Sequence, residues 1–414
     1  MTFPPGSGPL CARTSGETGI LEHPRLPRRV TIAVLVVSAF SLFIPALSVH
    51  FSGGSSSRFA VAELNPQPAP AVSFYSEELI RPREMQLSVH SATLAETSNG
   101  GLLAVWYGGS GEGRSDVALY RSTWDPSALK WSRVERLQSR HGTARDLGLF
   151  IKKMGNAVLM NDRNGKLWLF YVTTSIGGWS CSAVNVQTSL DEGKSWSAAR
   201  RLFLGPFFNV STLVKGIPFL YADGSIGLPV YHELINDFPE LVRIGGDGAV
   251  LDKVRLADGP SMIQPWIAPL DSLRAVALMR QSVKEAGHVF VVRTSDGGQS
   301  WSAARPGALR NRNSAVTSLR LSDGSVIAVF NDSDLDRSDL SLARSTDAGE
   351  SWRHIWTFEH GAVRDKAGAP AEFSYPWLLE TRNGTIHLVY SHRRTGVKHV
   401  MFNEPWILAQ GPGQ

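Results

Sequence analysis

From residue 74 onward the chain alternates between short apolar runs and polar turns, and one junction returns six times. Asn99-Gly100 runs into LLAVWY, Asn164-Gly165 into LWLFY, Asp223-Gly224 into IGLPVY, Asp271-Ser272 into AVALMR, Asp323-Gly324 into VIAVFN and Asn383-Gly384 into IHLVYS. Asn and Asp side chains accept backbone hydrogen bonds in turns and glycine supplies a positive φ, so each junction predicts a tight turn feeding a β-strand. Successive junctions lie 48 to 65 residues apart, the length of a four-stranded blade with loop insertions. No stretch after position 74 holds a helical period long enough to suggest an α/β alternative. The pattern predicts an all-β, six-bladed β-propeller, in which radial repetition protects the sheet edges. A β-sandwich with long loops would leave the six-fold punctuation unexplained.

A second repeat lies on the first. Ser189-Leu190-Asp191-Glu192-Gly193-Lys194-Ser195-Trp196 returns at Thr294 to Trp301 and at Ser345 to Trp352, each reading Ser/Thr-x-Asp-x-Gly-x-x-Trp after an alternating apolar run. Each copy predicts a hairpin turn: Asp folds its carboxylate onto backbone N–H groups, Gly takes the left-handed conformation, and Trp packs beneath. The motif makes a turn and carries no chemistry.

The N-terminal region follows other rules. Val30 to Val49 is twenty residues without a charge, enough to span a hydrocarbon core of about 30 Å as a helix. Arg25, Arg28 and Arg29 precede it and Arg58 follows, so residues 1–29 are expected in the cytoplasm and everything downstream outside it. An uncleaved transmembrane signal anchor is expected over 30–49; Ala46-Leu47-Ser48 offers a cleavable signal peptide as the competing reading. Residues 50–73, rich in Gly, Ser, Pro and Ala, read as a flexible linker, and the propeller occupies 74–409.

Charge changes little. The net +5 falls to about +3 once residues 1–29, with four Arg against two Glu, are set aside, and no basic run tracks a phosphate backbone, so nucleic acid is excluded. Cys11 and Cys181 flank the apolar segment and form neither a disulfide framework nor a zinc site; Cys181 is expected as a small buried strand residue. No metal and no cofactor are expected, and a monomer is.

The three repeated turns resemble the Asp box of sialidases and related propellers. Residues 74–408, with the stretches HSATLAE, VWYGGSGEG and EFSYPWLLET, resemble the bacterial branch of predicted sialidases. The resemblance implies an exo-glycosidase with a tyrosine nucleophile, a glutamate that activates it, three arginines that clamp a carboxylate, and an acidic general acid/base. It implies Tyr375, in Phe373-Ser374-Tyr375-Pro376, as nucleophile, and Arg280 and Arg337 as substrate-binding arginines. The family's acid/base aspartate has no clean counterpart, and Glu112 occupies the corresponding Gly-rich loop after the first blade's inner strand. Two positions depart from the pattern: His90 stands where the first arginine is expected, and Gln264 where the activating glutamate belongs. Glutamine accepts no phenolic proton, so Gln264 is read as a substrate contact, and Glu233 or Glu372 as a replacement activator. His90 is read as a catalytic group whose proton transfer would set a pH limb near its ordinary pKa.

The expected function is hydrolysis of a terminal acidic sugar, sialic acid or a relative, from an acidic glycan outside the cytoplasm. Two readings stay open beside it. One is a lyase acting on a uronate through an arginine, His90 and Tyr375. The other is a propeller that binds glycans on Trp106, Trp179 and Trp266 without turning them over.

Overall fold

The computed structural model of the protein describes residues 57–61, 72–80 and 88–411, apart from 163, 206–208, 235, 260, 284–286, 362–367 and 369. Its strands form six antiparallel sheets, the blades of an all-β propeller. The innermost strands of blades 1 to 6 are Ser88–Glu96, Lys153–Asn161, Leu213–Val214 continued by Phe219–Leu220, Met262–Pro269, Thr317–Arg320 and Phe373–Glu380. The first of these lies beside both the second and the sixth, closing the ring. Closure is secured in blade 6, where the early strand Tyr75–Ile80 pairs with the late strand Gly396–Phe402 in register Tyr75 to Phe402 through Ile80 to Val397.

The apolar runs singled out in the sequence are the second strand of each blade, and the six junctions are the turns that lead into them. In each turn an Asn or Asp carboxamide or carboxylate accepts a backbone N–H: Asn99 from Gly101, Asp162 from Asn164, Asp223 from Ser225, Asp271 from Leu273, Asp323 from Ser325 and Asn383 from Thr385, at 2.8–3.1 Å. Trp106, Trp168, Trp266 and Trp377 are fully buried, and truncating such a ring to Ala costs roughly 3–5 kcal/mol. Trp106 and Trp266 are thus blade core and not the stacking platforms considered above. Cys181 also departs from expectation: it is half-buried in the short 3-10 helix Trp179–Cys181.

The three Asp boxes join third to fourth strands. Asp191, Asp296 and Asp347 accept from the backbone N–H groups of Ser195, Ser300 and Ser351 at 2.9–3.0 Å. The opening Ser189, Thr294 and Ser345 hydroxyls donate to the same carboxylates and accept from the box glycines. A fourth, degenerate box escaped the motif. Asp125 caps Ser127 and Ala128 at 2.9 and 3.2 Å, while Leu129, with φ 47°, takes a left-handed conformation and Trp131 packs on Trp124.

Along every inner strand the chain runs from one face of the disc to the other. All first-to-second-strand turns and all Asp boxes therefore lie on one face, the base, and all second-to-third-strand loops on the other, the mouth. The base also anchors Ser57–Val61, a correction to the flexible linker expected over 50–73. Phe59 is buried against Phe219 and Tyr221, its N–H donates to Ser272 O at 2.8 Å, and Ala60 N–H donates to Leu220 O at 2.9 Å. A Cβ on Gly297 would lie 1.7 Å from Ser57 O, so that box position admits the segment only as glycine. The apolar run 30–49 and residues 1–29 lie outside the described residues. Among those described, no helix is long and apolar enough to cross a membrane; the helices are Arg140–Leu147 and Glu404–Ala409, each capped by a side chain and too short to leave a readable period.

Candidate active site

At the mouth the repeat breaks, and two tiers of side chains replace it. The deeper tier comes from the start of the inner strands. Ladder register shifts between His90 and Thr93, Gly155 and Ala157, Ile263 and Trp266, and Ser374 and Trp377. Ser91, Gln264 and Tyr375 occupy the left-handed region with φ of 56°, 53° and 57°, and Ser211 and Asn313 do so just ahead of the inner strands of blades 3 and 5. A β-bulge re-aims one side chain, and a non-glycine residue in this region costs about 1–2 kcal/mol, a strain that persists where the surroundings fix it.

The upper tier comes from the mouth ends of the second strands, where Glu233 and Arg280 lie, and from the loops that follow them. Blades 1 to 3 deliver Glu112, Trp179 and Glu233, and blades 4 to 6 deliver Arg280, Arg337 and Arg394. The mouth therefore places Glu112, Glu233 and Trp179, with Lys153 over its ring, on one side and three arginines, two of them joined by Glu372, on the other.

Tyr375 and Arg280 meet at the floor. The Arg280 guanidinium donates through Nη1 to the Tyr375 hydroxyl at 3.3 Å and to Gln264 Oε1 at 3.1 Å, and through Nε to Asn313 Oδ1 at 2.7 Å. Gln264 is buried, and its amide also donates to the Tyr231 hydroxyl at 3.4 Å, which Asn156 reaches at 3.2 Å. Gln264 thus holds Arg280 against Tyr375 from within the wall. Among the described residues no carboxylate hydrogen-bonds the Tyr375 hydroxyl.

Glu372 ties the arginine half together. It accepts from Arg337 at 3.0 Å and from Arg394 at 2.5 and 3.3 Å. Burial alone would raise its carboxyl, but the Arg394 hydrogen bonds, His90 at 4.0 Å and the charges of Arg394 and Arg337 hold it down to about 2. This commits Glu372 to the arginines and away from activating Tyr375. Arg394 also reaches Glu112 at 3.3 Å, linking blades 6 and 1, and Glu112 remains partly exposed to the mouth. Across the mouth, burial and the neighbouring Asp237 raise the Glu233 carboxyl, with Arg280 opposing.

His90 lies where expected, in edge-to-face contact with Tyr375 at 4.4 Å, but its environment corrects its role. It is completely buried, and burial first, then the charge of Arg394, push its pKa well below the ordinary 6.5. It stays neutral at physiological pH and packs as part of the wall, so no pH limb near 6.5 is expected from it. Trp179 is half-buried on the rim with the Lys153 ammonium 4.1 Å over its ring.

Sequence reasoning missed three groups. Arg394 follows its blade's second strand as Arg337 does, and comparing the loops after those strands would have revealed it. Tyr107 closes the wall beside His90 at 5.7 Å and gives no signal in an apolar run. Lys215, a single charge inside the run Thr212 to Ile217, lies fully buried in the inner strand region of blade 3.

A family model described as a BNR repeat-like domain matches residues 100–388. No curated protein sequence matches the chain significantly. Among solved structures, the Hadza microbial sialidase Hz136 superposes with a TM-score of 0.63 at 15% identity, over 77% of this chain and 66% of that one, so the chain spans slightly under two thirds of its length. A protein of unknown function from Dyadobacter fermentans gives 0.63 at 13% identity over 81% and 99% of the two chains. The Trypanosoma rangeli sialidase in complex with sialic acid gives 0.59 at 11% identity over 81% and 59%. At these identities the likeness establishes the propeller fold.

Proposed function

This chain belongs to the family described as a BNR repeat-like domain, and from that premise we propose that it is a sialidase-like protein whose mouth is the active site of an exo-glycosidase removing a terminal carboxylated sugar. Sialic acid or a related ulosonic acid fits the divided mouth best. The observation that carries the reading is the Tyr375 hydroxyl, 3.3 Å from the Arg280 guanidinium, on a strained bulge at the floor between the arginine half and the acidic half.

In this reading Arg280 and Arg337 bind the sugar carboxylate, with Arg394 completing the positive wall. The Tyr375 oxygen attacks the anomeric carbon, forming a C–O bond as the glycosidic bond breaks. A phenol suits this centre because a carboxylate nucleophile would be repelled by the adjacent sugar carboxylate. Glu112 gives its proton to the departing oxygen and then takes one from the water that releases the sugar. The domain acts outside the cytoplasm, tethered by the segment that precedes Ser57.

The test is an assay of the full chain on a panel of acidic glycans, following released reducing sugar together with the absorbance of an unsaturated uronate. Release of a free ulosonic acid supports the reading. An unsaturated product would assign the mouth to lyase chemistry, and binding without turnover to a lectin-like role.

A further inference from the structure

Gln264 leaves unanswered what allows Tyr375 to act as an anion. The Lys215 ammonium reaches across the central channel to blade 6, 5.2 Å from the centre of the Tyr375 ring and 5.4 Å from that of Trp377. Its side chain is wholly buried, and Nζ has no hydrogen-bond partner. A buried ammonium is costly to hold unless ring faces, a counter-charge or loss of its own proton relieve it. Of the groups facing it, Arg280 at the phenol oxygen and Arg337, 5.7 Å from the Tyr375 ring, are cations. His90 is held neutral, and Glu372 is already shared between Arg337 and Arg394. Of the groups in contact with the ammonium, the one able to gain a negative charge is the Tyr375 phenol.

We propose that Lys215 is a positioning residue that replaces the missing carboxylate base, its ammonium beneath Tyr375 forming a buried ion pair with the phenolate. The phenolic proton passes to the amine, directly or through solvent, so the neutral pair and the ion pair hold the same protons. The inference rests on Tyr375 being the nucleophile. Burial lowers Lys215 to about 7, so part of the amine is free of its own proton near neutral pH. The ammonium is lost as pH rises, so kcat is expected to fall on the alkaline side in the wild type and to stay level in Lys215→Arg, whose cation is permanent.

The experiment combines kinetics with the ultraviolet absorbance of tyrosinate, assigned to Tyr375 by subtracting the Tyr375→Phe spectrum. Lys215→Met is expected to raise Tm, because a buried charge is removed. It should lower kcat roughly 10- to 100-fold with KM little changed, and Tyr375 tyrosinate should appear at higher pH than in the wild type. Lys215→Arg should restore most of kcat. Unchanged tyrosinate titration in a folded Lys215→Met protein would overturn the inference, whatever the substrate proves to be. A shifted titration in a chain that cleaves no acidic glycan would uphold the ion pair and refute the glycosidase reading instead.

Discussion

The two faces of the disc are made by the same six blades and obey opposite rules. On the base, equivalent positions carry equivalent residues, and each Asp box satisfies its own hydrogen bonds within eight residues. At the mouth, the second-strand ends and the loops after them carry Glu112, Trp179, Glu233, Arg280, Arg337 and Arg394, and their bonds run between blades: Arg280 to Tyr375, Arg394 to Glu112, Arg280 to Asn313. Repetition marks what every blade needs in order to close. Departure from the repeat marks what the assembled ring does once.

The comparison breaks most sharply at Tyr375. Tyr375→Phe removes one hydroxyl from a ring that still packs against His90, so turnover should drop by about 10³-fold or more while the protein stays folded. Retained activity would remove the mouth's central residue. Arg280→Ala comes next, with kcat/KM reduced by about 10²-fold, corresponding to about 2–3 kcal/mol, mainly through KM. A fall in Tm with unaltered kinetics would instead make Arg280 a wall residue like Gln264.

Glu372 tests whether the arginine half is prebuilt. Its carboxyl is held at about 2, below the ordinary 4.5, so its contribution is fully present above pH 4.5 and is lost as pH falls through about 2. For this mostly buried group the shift corresponds to on the order of 2–3 kcal/mol. Glu372→Gln should lose about that much stability at pH 7 and flatten the acid dependence of unfolding between pH 4.5 and 2. The smallest effect belongs to the base. Asp347→Ala should cost about 1 kcal/mol, the worth of its local hydrogen bonds in an exposed turn, and leave kcat and KM as they are.

The same contrast explains what the sequence made legible. Six turns and three boxes are local, since an Asn-Gly pair or an Asp four residues before a Ser fixes its own partners, and the blade count followed. Tyr375, Arg280, Arg337 and Glu112 were found through family likeness, and they do assemble at one mouth. Their electrostatics were not readable, because the depressed His90, the shared Glu372 and the unpartnered Lys215 depend on residues up to some 300 positions apart that only ring closure brings together. Ser57–Val61 was misread for a related reason: a Gly/Ser-rich context suggests a free tether, whereas one phenylalanine, Phe59, finds an aromatic slot between blades 3 and 4.

The central claim is that Tyr375 becomes bonded to an acidic sugar, and trapping that bond tests it most directly. The full chain would be incubated with a fluorinated, activated analogue of a terminal ulosonic acid, whose glycosyl-enzyme hydrolyses slowly, and then digested for peptide mass mapping. The account predicts one sugar on the peptide containing Phe373-Ser374-Tyr375 and none in Tyr375→Phe. A sugar attached elsewhere, or turnover of the natural substrate with no adduct at Tyr375, would contradict it.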